Sequence, residues 1–408
     1  MNTPCPTGIQ LTALDPRFRE DPYPVLAELR KREPVHHDEQ LGRYFFTRHD
    51  DVAEILRDPD YWSDPRKGRE GGFARGYLGR GDEEPRLLMM DDPGHRRIRN
   101  LISDPFRPRA VEGWRDRVRA VVNDTIAALG DGEFDLIEAV ADSIPTIVIA
   151  DKLGIDPARH AEFKAWSAAA LKVAFSPIND PEDVKQAEAA FAALRETFLS
   201  VIESRRRAPA ADLVSDLVRA EDGGDRLTDD EIAAQCELLL LAGNVTTSDL
   251  IGNAVAALLR HPEQLQKLRA RPELLANAVE EVLRYDTPVT DTGRIANRDV
   301  EIGGVKNAQG ESLTASLAAA NRDPEVYPEP DRFDIERADT HHQAFGGGRH
   351  YCLGSHLARV EAQETLAALL ARFPRLEWVE GGSEYAANPS LRGFAKLRIR
   401  GEGPAARV

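Results

Sequence analysis

Only three of the 408 residues are cysteine, and Cys5, Cys236 and Cys352 lie far apart with no paired spacing. A disulfide framework is excluded, and a reducing cytoplasm fits. No uninterrupted apolar run reaches about 18 residues, so no membrane-spanning helix is expected. Residues 1–10 have neither a basic n-region nor an apolar h-region, so no secretory signal is read there. Basic residues are the minority, 53 against 69 acidic, for a net charge of −16. Nucleic acid is therefore excluded as the main partner, because phosphate binding needs a basic surface. No internal repeat or low-complexity linker divides the chain. The 42% of hydrophobic residues suffices for a sizeable core. The length allows two or three domains or one large one.

Helical periodicity dominates what remains, and the fold class is mostly α with small β-sheets. Helices are expected at 22–32, 157–175, 181–207, 272–285 and 353–372, with a break at Ser176-Pro177. Thr228 and Glu231 have the spacing of a capping box, opening a helix that runs to Arg260, where His261-Pro262 stops it. Its apolar middle, 236–242, marks a helix buried through the centre of a large domain. Short strands are expected at 43–47, 299–302 and 312–318. Residues 68–81 are rich in glycine but have no preceding strand and no following Lys-Ser/Thr, so a phosphate loop is rejected. This stretch reads as a mobile surface loop whose Phe73, Tyr77 and Leu78 suit a lid over an apolar ligand.

The most informative stretch is Phe345-Gly-Gly-Gly-Arg-His-Tyr-Cys352-Leu-Gly354. Three consecutive glycines let a backbone turn tightly and approach something closely. A sulfur placed at a helix N-terminus is favoured as thiolate. A thiolate beside N–H donors is a ligand for a flat metal cofactor such as haem. A buried structural cysteine explains Cys352 but not the glycines, Phe345 or His350. A zinc site from His341, His342, His350 and Cys352 lacks a second cysteine pair and the usual spacings. The stretch resembles the haem-binding signature of the cytochrome P450 family, Phe-Gly-x-Gly-x-His-x-Cys-x-Gly, at every defined position.

Other segments agree with that resemblance. Glu281-Val-Leu-Arg284 matches the family's Glu-x-x-Arg, which implies a buried structural pair. Ala320 to Pro324 and Pro330 to Asp334 fall between the two motifs as expected. Asp92-Pro-Gly-His95-Arg-Arg-Ile-Arg99 is similar to a family segment. The resemblance implies that His95 and Arg99, with Arg294 and His350, bind a haem propionate. It further implies haem b with Cys352 as axial ligand to the iron, and Ala242, Phe345 and Gly354 against the cofactor. Residues 1–408 are then one prism-like domain of the soluble bacterial type. Its small β-rich part comes from N-terminal strands and residues near 295–320 and 376–400. Cys5 falls in a frayed terminus and Cys236 at a buried apolar position.

In the family, the central helix carries Ala/Gly-Gly-x-Asp/Glu-Thr, and here it reads Ala242-Gly243-Asn244-Val245-Thr246. The resemblance gives Gly243, Asn244, Val245 and Thr246 the catalytic positions, with Thr246 hydrogen-bonding bound oxygen and helping to deliver protons. Val245 stands where the acid is usual, and valine relays no proton. The expected activity is monooxygenation in which Thr246 and water suffice, fed by Glu361 or Asp249. A peroxide-driven reaction and nitric oxide reduction come next, and a non-catalytic haem-thiolate sensor leaves Thr246 unexplained. By analogy Leu238, Leu241, Ala242, Val289, Thr290 and Phe394 line a pocket for a small-to-medium apolar organic substrate, with Phe73 and Tyr77 as lid. No flavin or iron–sulfur segment is read in the chain, so dioxygen chemistry needs a separate donor, which the resemblance implies is a ferredoxin with its reductase. Arginines 96, 97, 99, 107, 109, 115, 117 and 119, with Arg349 and Arg359, are expected to form a basic patch for it.

Overall fold

The computed structural model describes residues 5–77, 86–174 and 180–404. It is helix-rich, and among the described residues nine strands form three small sheets. The strands are β1 (Val35–Asp38), β2 (Arg43–Phe46), β3 (Gly132–Asp135), β4 (Asp291–Ile295), β5 (Val300–Ile302), β6 (Val305–Asn307), β7 (Ser312–Ser316), β8 (Arg375–Tyr385) and β9 (Phe394–Glu402). The chain divides into two compact units, each discontinuous in sequence. The first takes in the N-terminal residues through 77, then 252–352 and 380–397; the second takes in 86–251, 353–379 and 398–404.

The first unit is built on a four-stranded sheet of order β1-β2-β7-β4. β2 runs parallel to β7, with Tyr44 opposite Leu313, and β4 runs antiparallel to it, with Arg294 opposite Leu313. Val35, Phe46, Ile55, Leu56, Leu313 and Ala315 bury one apolar cluster of this unit. The strand expected at 312–318 ends at Ser316 because the Ser316 hydroxyl accepts the N–H of Ala319 and caps a short helix, Leu317–Ala320. Helix Leu275–Tyr285 carries Glu281 and Arg284, both fully buried. The Arg284 guanidinium donates to both Glu281 oxygens at 2.8 and 2.9 Å, and to the carbonyls of Asn321, Pro330 and Arg332. Arg337 Nε and the Asp334 N–H complete the shell around Glu281. The expected structural pair is thus a buried, fully hydrogen-bonded hub.

The glycine-rich stretch is not structureless. Phe73–Tyr77 form a short helix. The Phe73 N–H donates to Gly42 O at 3.1 Å, and the Ala74 N–H to Ser312 Oγ at 3.0 Å. These bonds dock the segment on the sheet, so its described part is no free loop. Leu78 lies outside the described residues, as does the Ser176-Pro177 break.

The second unit packs helices around Ile98, Ile102, Phe163, Phe198, Ile232 and Leu240. Helix Pro181–Arg207 begins where Asp180 accepts the Glu182 N–H. The helix expected at 157–175 is a 3-10 turn, Pro157–Arg159, followed by His160–Ala174. The longest helix spans Asp229–Arg260 and belongs to the second unit up to Ile251. Its capping box is formed: Thr228 Oγ1 accepts the Glu231 N–H, and Glu231 Oε2 accepts the Thr228 N–H. This helix is long and apolar enough, by length and composition, to cross a membrane, contrary to the expectation that none is. However, 67% of that apolar stretch is buried inside the protein, as in a core helix.

Candidate active site

The candidate residues fall in both units and are taken unit by unit. In the first, the loop before Cys352 is closed by the Cys352 N–H donating to Phe345 O at 2.9 Å. Gly346 and Gly348 have φ of +68° and +61°, which side-chain-bearing residues rarely adopt. A Cβ at Gly348 would collide with Leu56 O, and one at Gly347 would lie 3.1 Å from Leu56 Cβ. The expected close approach is therefore, at least in part, to the end of helix His49–Arg57. Cys352 is half-buried and in no disulfide. Helix Ser355–Arg372 starts two residues later than expected, with Gly354 as its N-cap, so Cys352 lies two residues before the cap rather than directly before the first helical residue.

His350 is fixed by Ser63, with Oγ to Nε2 at 2.9 Å. Arg294, on β4, is buried and donates to the Gly293 carbonyl at 2.8 Å. Phe345 is half-buried, its ring centroid 6.3 Å from that of Tyr351. The zinc alternative finds no support, because among the described residues no group of three or more His, Cys, Asp or Glu could hold a metal ion. Val289 packs on the apolar cluster of this unit, and Thr290 is buried. Phe394 is also buried, its ring stacked on Tyr385 at 4.2 Å. Phe73 is half-buried with its ring 4.9 Å from the Arg43 guanidinium. Tyr77 closes the short helix that Phe73 opens.

In the second unit the long helix is buried along most of its length, with one open stripe. Between Ile232 and Leu258 only Leu238, Leu239, Ala242, Gly243, Val245 and Thr246 keep partial exposure. Their spacing of three and four residues puts most of them on one face. Leu241 and Asn244 are buried. A Cβ built on Gly243 meets nothing nearer than Ile149 Cγ1 at 4.0 Å. The Thr246 hydroxyl donates to Ala242 O at 2.7 Å. His95 and Arg99 lie one turn apart on helix Gly94–Ile102; His95 is buried with Nδ1 3.7 Å from Asp92, and Arg99 is half-buried.

Two buried carboxyl groups, Asp249 and Glu361, and a half-buried one, Asp142, are candidates for proton supply. Asp249 lies one turn beyond Val245 and is 6% exposed. Glu361 is enclosed, and burial pushes its carboxyl up to about 8, against a smaller opposing pull from Lys152. Burial likewise lowers Lys152 to about 8; its ammonium lies 4.4 Å from the Trp114 ring centroid. Asp142 is raised by burial and accepts a 2.5 Å hydrogen bond from Ser248 on the long helix. Sequence reading missed Asp142 and Lys152, because only the tertiary fold shows that Lys152 is buried and Asp142 half-buried.

The arginine-rich segment is more neutral than its sequence suggests. Arg97 pairs with Asp225 and Glu231, Arg107 with Asp104, Arg115 with Glu112 and Glu364, Arg117 with Asp151, and Arg119 with Asp116 and Glu364. Arg96 and Arg109 are exposed and make no ion pair among the described residues.

The family model for cytochrome P450 matches residues 45–384. The chain is similar to the cytochrome P450 monooxygenase PikC of Streptomyces venezuelae, 37% identical over 98% of this chain and 95% of that one. It is likewise 37% identical to 6-deoxyerythronolide B hydroxylase of Saccharopolyspora erythraea, over 95% of this chain and 97% of that one. The solved structure of CYP109Q5 from Chondromyces apiculatus superimposes with a TM-score of 0.87 at 36% identity, covering 97% and 98% of the two chains. Sequence and fold agree that the chain belongs to the cytochrome P450 family of haem-thiolate monooxygenases.

Proposed function

We propose that Cys352 supplies the axial thiolate of a haem b whose propionates are held by His95, Arg99, Arg294 and His350. The enzyme then oxidises a small-to-medium, mainly apolar organic substrate with electrons from a separate ferredoxin-type donor. The observation that carries this reading is the Cys352 loop, closed on Phe345 O and set by glycines that pack on Leu56. The donor set fits the cofactor: a half-buried thiol for iron, imidazoles and guanidiniums for carboxylates, and a stripe of small residues on a buried helix. When bound, the haem supplies the iron centre at which dioxygen is reduced and one oxygen atom passes to substrate.

The protein's own groups set the proton supply and the shape of the site. Ala242 and Gly243 keep the helix surface low. Thr246 holds its hydroxyl on Ala242 O, leaving its oxygen lone pairs to accept a proton donor's hydrogen bond. Val245 contributes none. Glu361, at about 8, is a neutral acid at pH 7 and can give up a proton. That the chain resembles a monooxygenase and a hydroxylase supports oxygen insertion without fixing the substrate.

Electron transfer is assigned to the arginine-rich segment, in which Arg96 and Arg109 are the exposed arginines that carboxylates leave uncompensated. This reading includes a cytoplasmic location, with which the scattered cysteines and the buried apolar stretch of the long helix are consistent. Val245 favours one second reading, a peroxide-driven reaction, since hydrogen peroxide brings its own protons and electrons. The deciding experiment screens compounds by haem spin-state shift, then compares product formation with a surrogate ferredoxin system and with hydrogen peroxide alone. Product only with the ferredoxin system supports monooxygenation, and product only with peroxide replaces it.

A further inference from the structure

The second unit holds a cavity that no step above uses. Its volume is about 300 Å³, and Arg159, Trp166, Ala193, Glu196, Thr197 and Ser200 line it. Arg159 comes from the 3-10 turn Pro157–Arg159 and Trp166 from helix His160–Ala174, while the other four come from helix Pro181–Arg207. Those four fall at spacings of three and four residues, so they share one face of that helix. Ligand sites begin at about 300 Å³ and combine an apolar or aromatic wall with a few convergent polar groups.

How the polar groups are paired decides what the cavity offers a ligand. Arg159 is committed: its Nε donates to Glu162 at 3.0 Å and its Nη2 to Thr197 Oγ1 at 3.1 Å, with the guanidinium 5.5 Å from the Trp166 ring centroid. Glu162 therefore offsets the Arg159 charge. Thr197 is 5% exposed and donates its own proton to Ala193 O at 2.8 Å. Along the same helix Arg195 pairs with Asp230, Arg205 with Asp212, Arg206 with Asp229 and Arg207 with Glu203. Glu196 and Ser200 differ. Both are exposed, and neither has a side-chain partner among the described residues. One uncompensated carboxylate, one open hydroxyl and the half-buried Trp166 ring are what remain.

We propose that this cavity binds a small primary ammonium compound carrying one aromatic ring. The ammonium donates to the Glu196 carboxylate and to Ser200 Oγ, and the ring packs beside Trp166. A primary ammonium has three N–H donors and no acceptor, which suits two open acceptors. A neutral ring compound forgoes the charge-assisted bond to Glu196. An anionic one meets Glu196 with no uncommitted cation to offset it. The net charge of −16 adds a field that draws cations toward the surface. The site stands apart from the haem reading, since it uses no residue assigned to cofactor, oxygen or substrate.

The test titrates phenethylammonium into the haem-loaded enzyme by calorimetry, beside phenethyl alcohol and phenylacetate. The ammonium binds saturably, and the alcohol and the carboxylate bind more weakly. Glu196→Gln lowers the ammonium affinity about fivefold, the upper end for a partly exposed ion pair. Trp166→Leu lowers it about threefold, as expected for a lost aromatic pair. Glu188→Gln removes another exposed carboxylate of the same helix, one that does not line the cavity, and leaves the affinity within about twofold. An equal loss in both glutamate variants means diffuse attraction to an acidic surface and overturns the proposal. So does an affinity unchanged in Glu196→Gln; the haem absorption band of the same samples then shows whether the amine sits on the iron instead. Absence of saturable binding at the solubility limit, or a preference for phenylacetate, also overturns it.

Discussion

Residue identity decides the chemistry where a single position departs from the surrounding pattern. Val245 removes an acid from the long helix, and Glu361 is the nearest thing to a replacement with a shifted acidity. Its carboxyl moves from 4.5 to about 8 on folding, so the folded state prefers the protonated form. That preference stabilises fully below about 4.5 and is lost as pH rises through about 8. Lys152 moves from 10.5 to about 8, and its contribution is lost as pH falls through that same value. Between pH 5 and 8 the Glu361 effect therefore dominates. Glu361→Gln should lose less unfolding free energy over this range than wild type, by more than about 1.4 kcal/mol, the equivalent of one pKa unit. Parallel pH profiles from urea titrations would show that Glu361 carries no such shift. At position 245, Val245→Asp should change the pH dependence or coupling of oxygen-driven turnover. An unchanged solvent isotope effect and coupling would make this position irrelevant to proton flow.

Among the elements, caps and buried pairs were legible because their logic is local. Thr228 with Glu231 announced the start of the long helix three residues apart, and both bonds are formed. Thr228→Ala should cost about 1 kcal/mol, read as a shift of the urea midpoint with unchanged slope. Glu281 with Arg284 announced a pair, but not that five further groups hydrogen-bond to it. Breaking it by Glu281→Ala strands a buried guanidinium and should cost about 3–5 kcal/mol, with folding itself as the readout; a loss below about 1 kcal/mol would contradict the burial. The glycine-rich stretch misled, because glycines that look flexible in sequence are here the means of docking Phe73 against Gly42. The arginine-rich segment misled in the same way: its partners Asp225, Glu231 and Glu364 are more than a hundred residues distant. Reversing Arg96 and Arg109 to glutamate should slow reduction by ferredoxin at low salt without moving substrate affinity. Equal reduction rates would place the donor elsewhere.

For the whole molecule, the sequence motifs outran the physical pattern. Periodicity predicted a mostly helical chain with minor strands, and the fold is that of the cytochrome P450 family. Parallel pairing of β2 with β7, some 270 residues on, has no local signal. The net charge of −16 excluded nucleic acid but said little of any local face, where pairing decides what remains. Of the three cysteines, Cys236 is fully buried and its thiol is pushed far up by burial, which leaves it inert. Cys352 alone combines a half-open sulfur with a shaped loop. The most direct measurement is the absorption spectrum of the reduced carbonyl complex, wild type beside Cys352→Ser, with circular dichroism as a check on folding. The long-wavelength band should be present in wild type and lost in a folded Cys352→Ser; a folded variant that keeps the band would show that Cys352 is not the ligand.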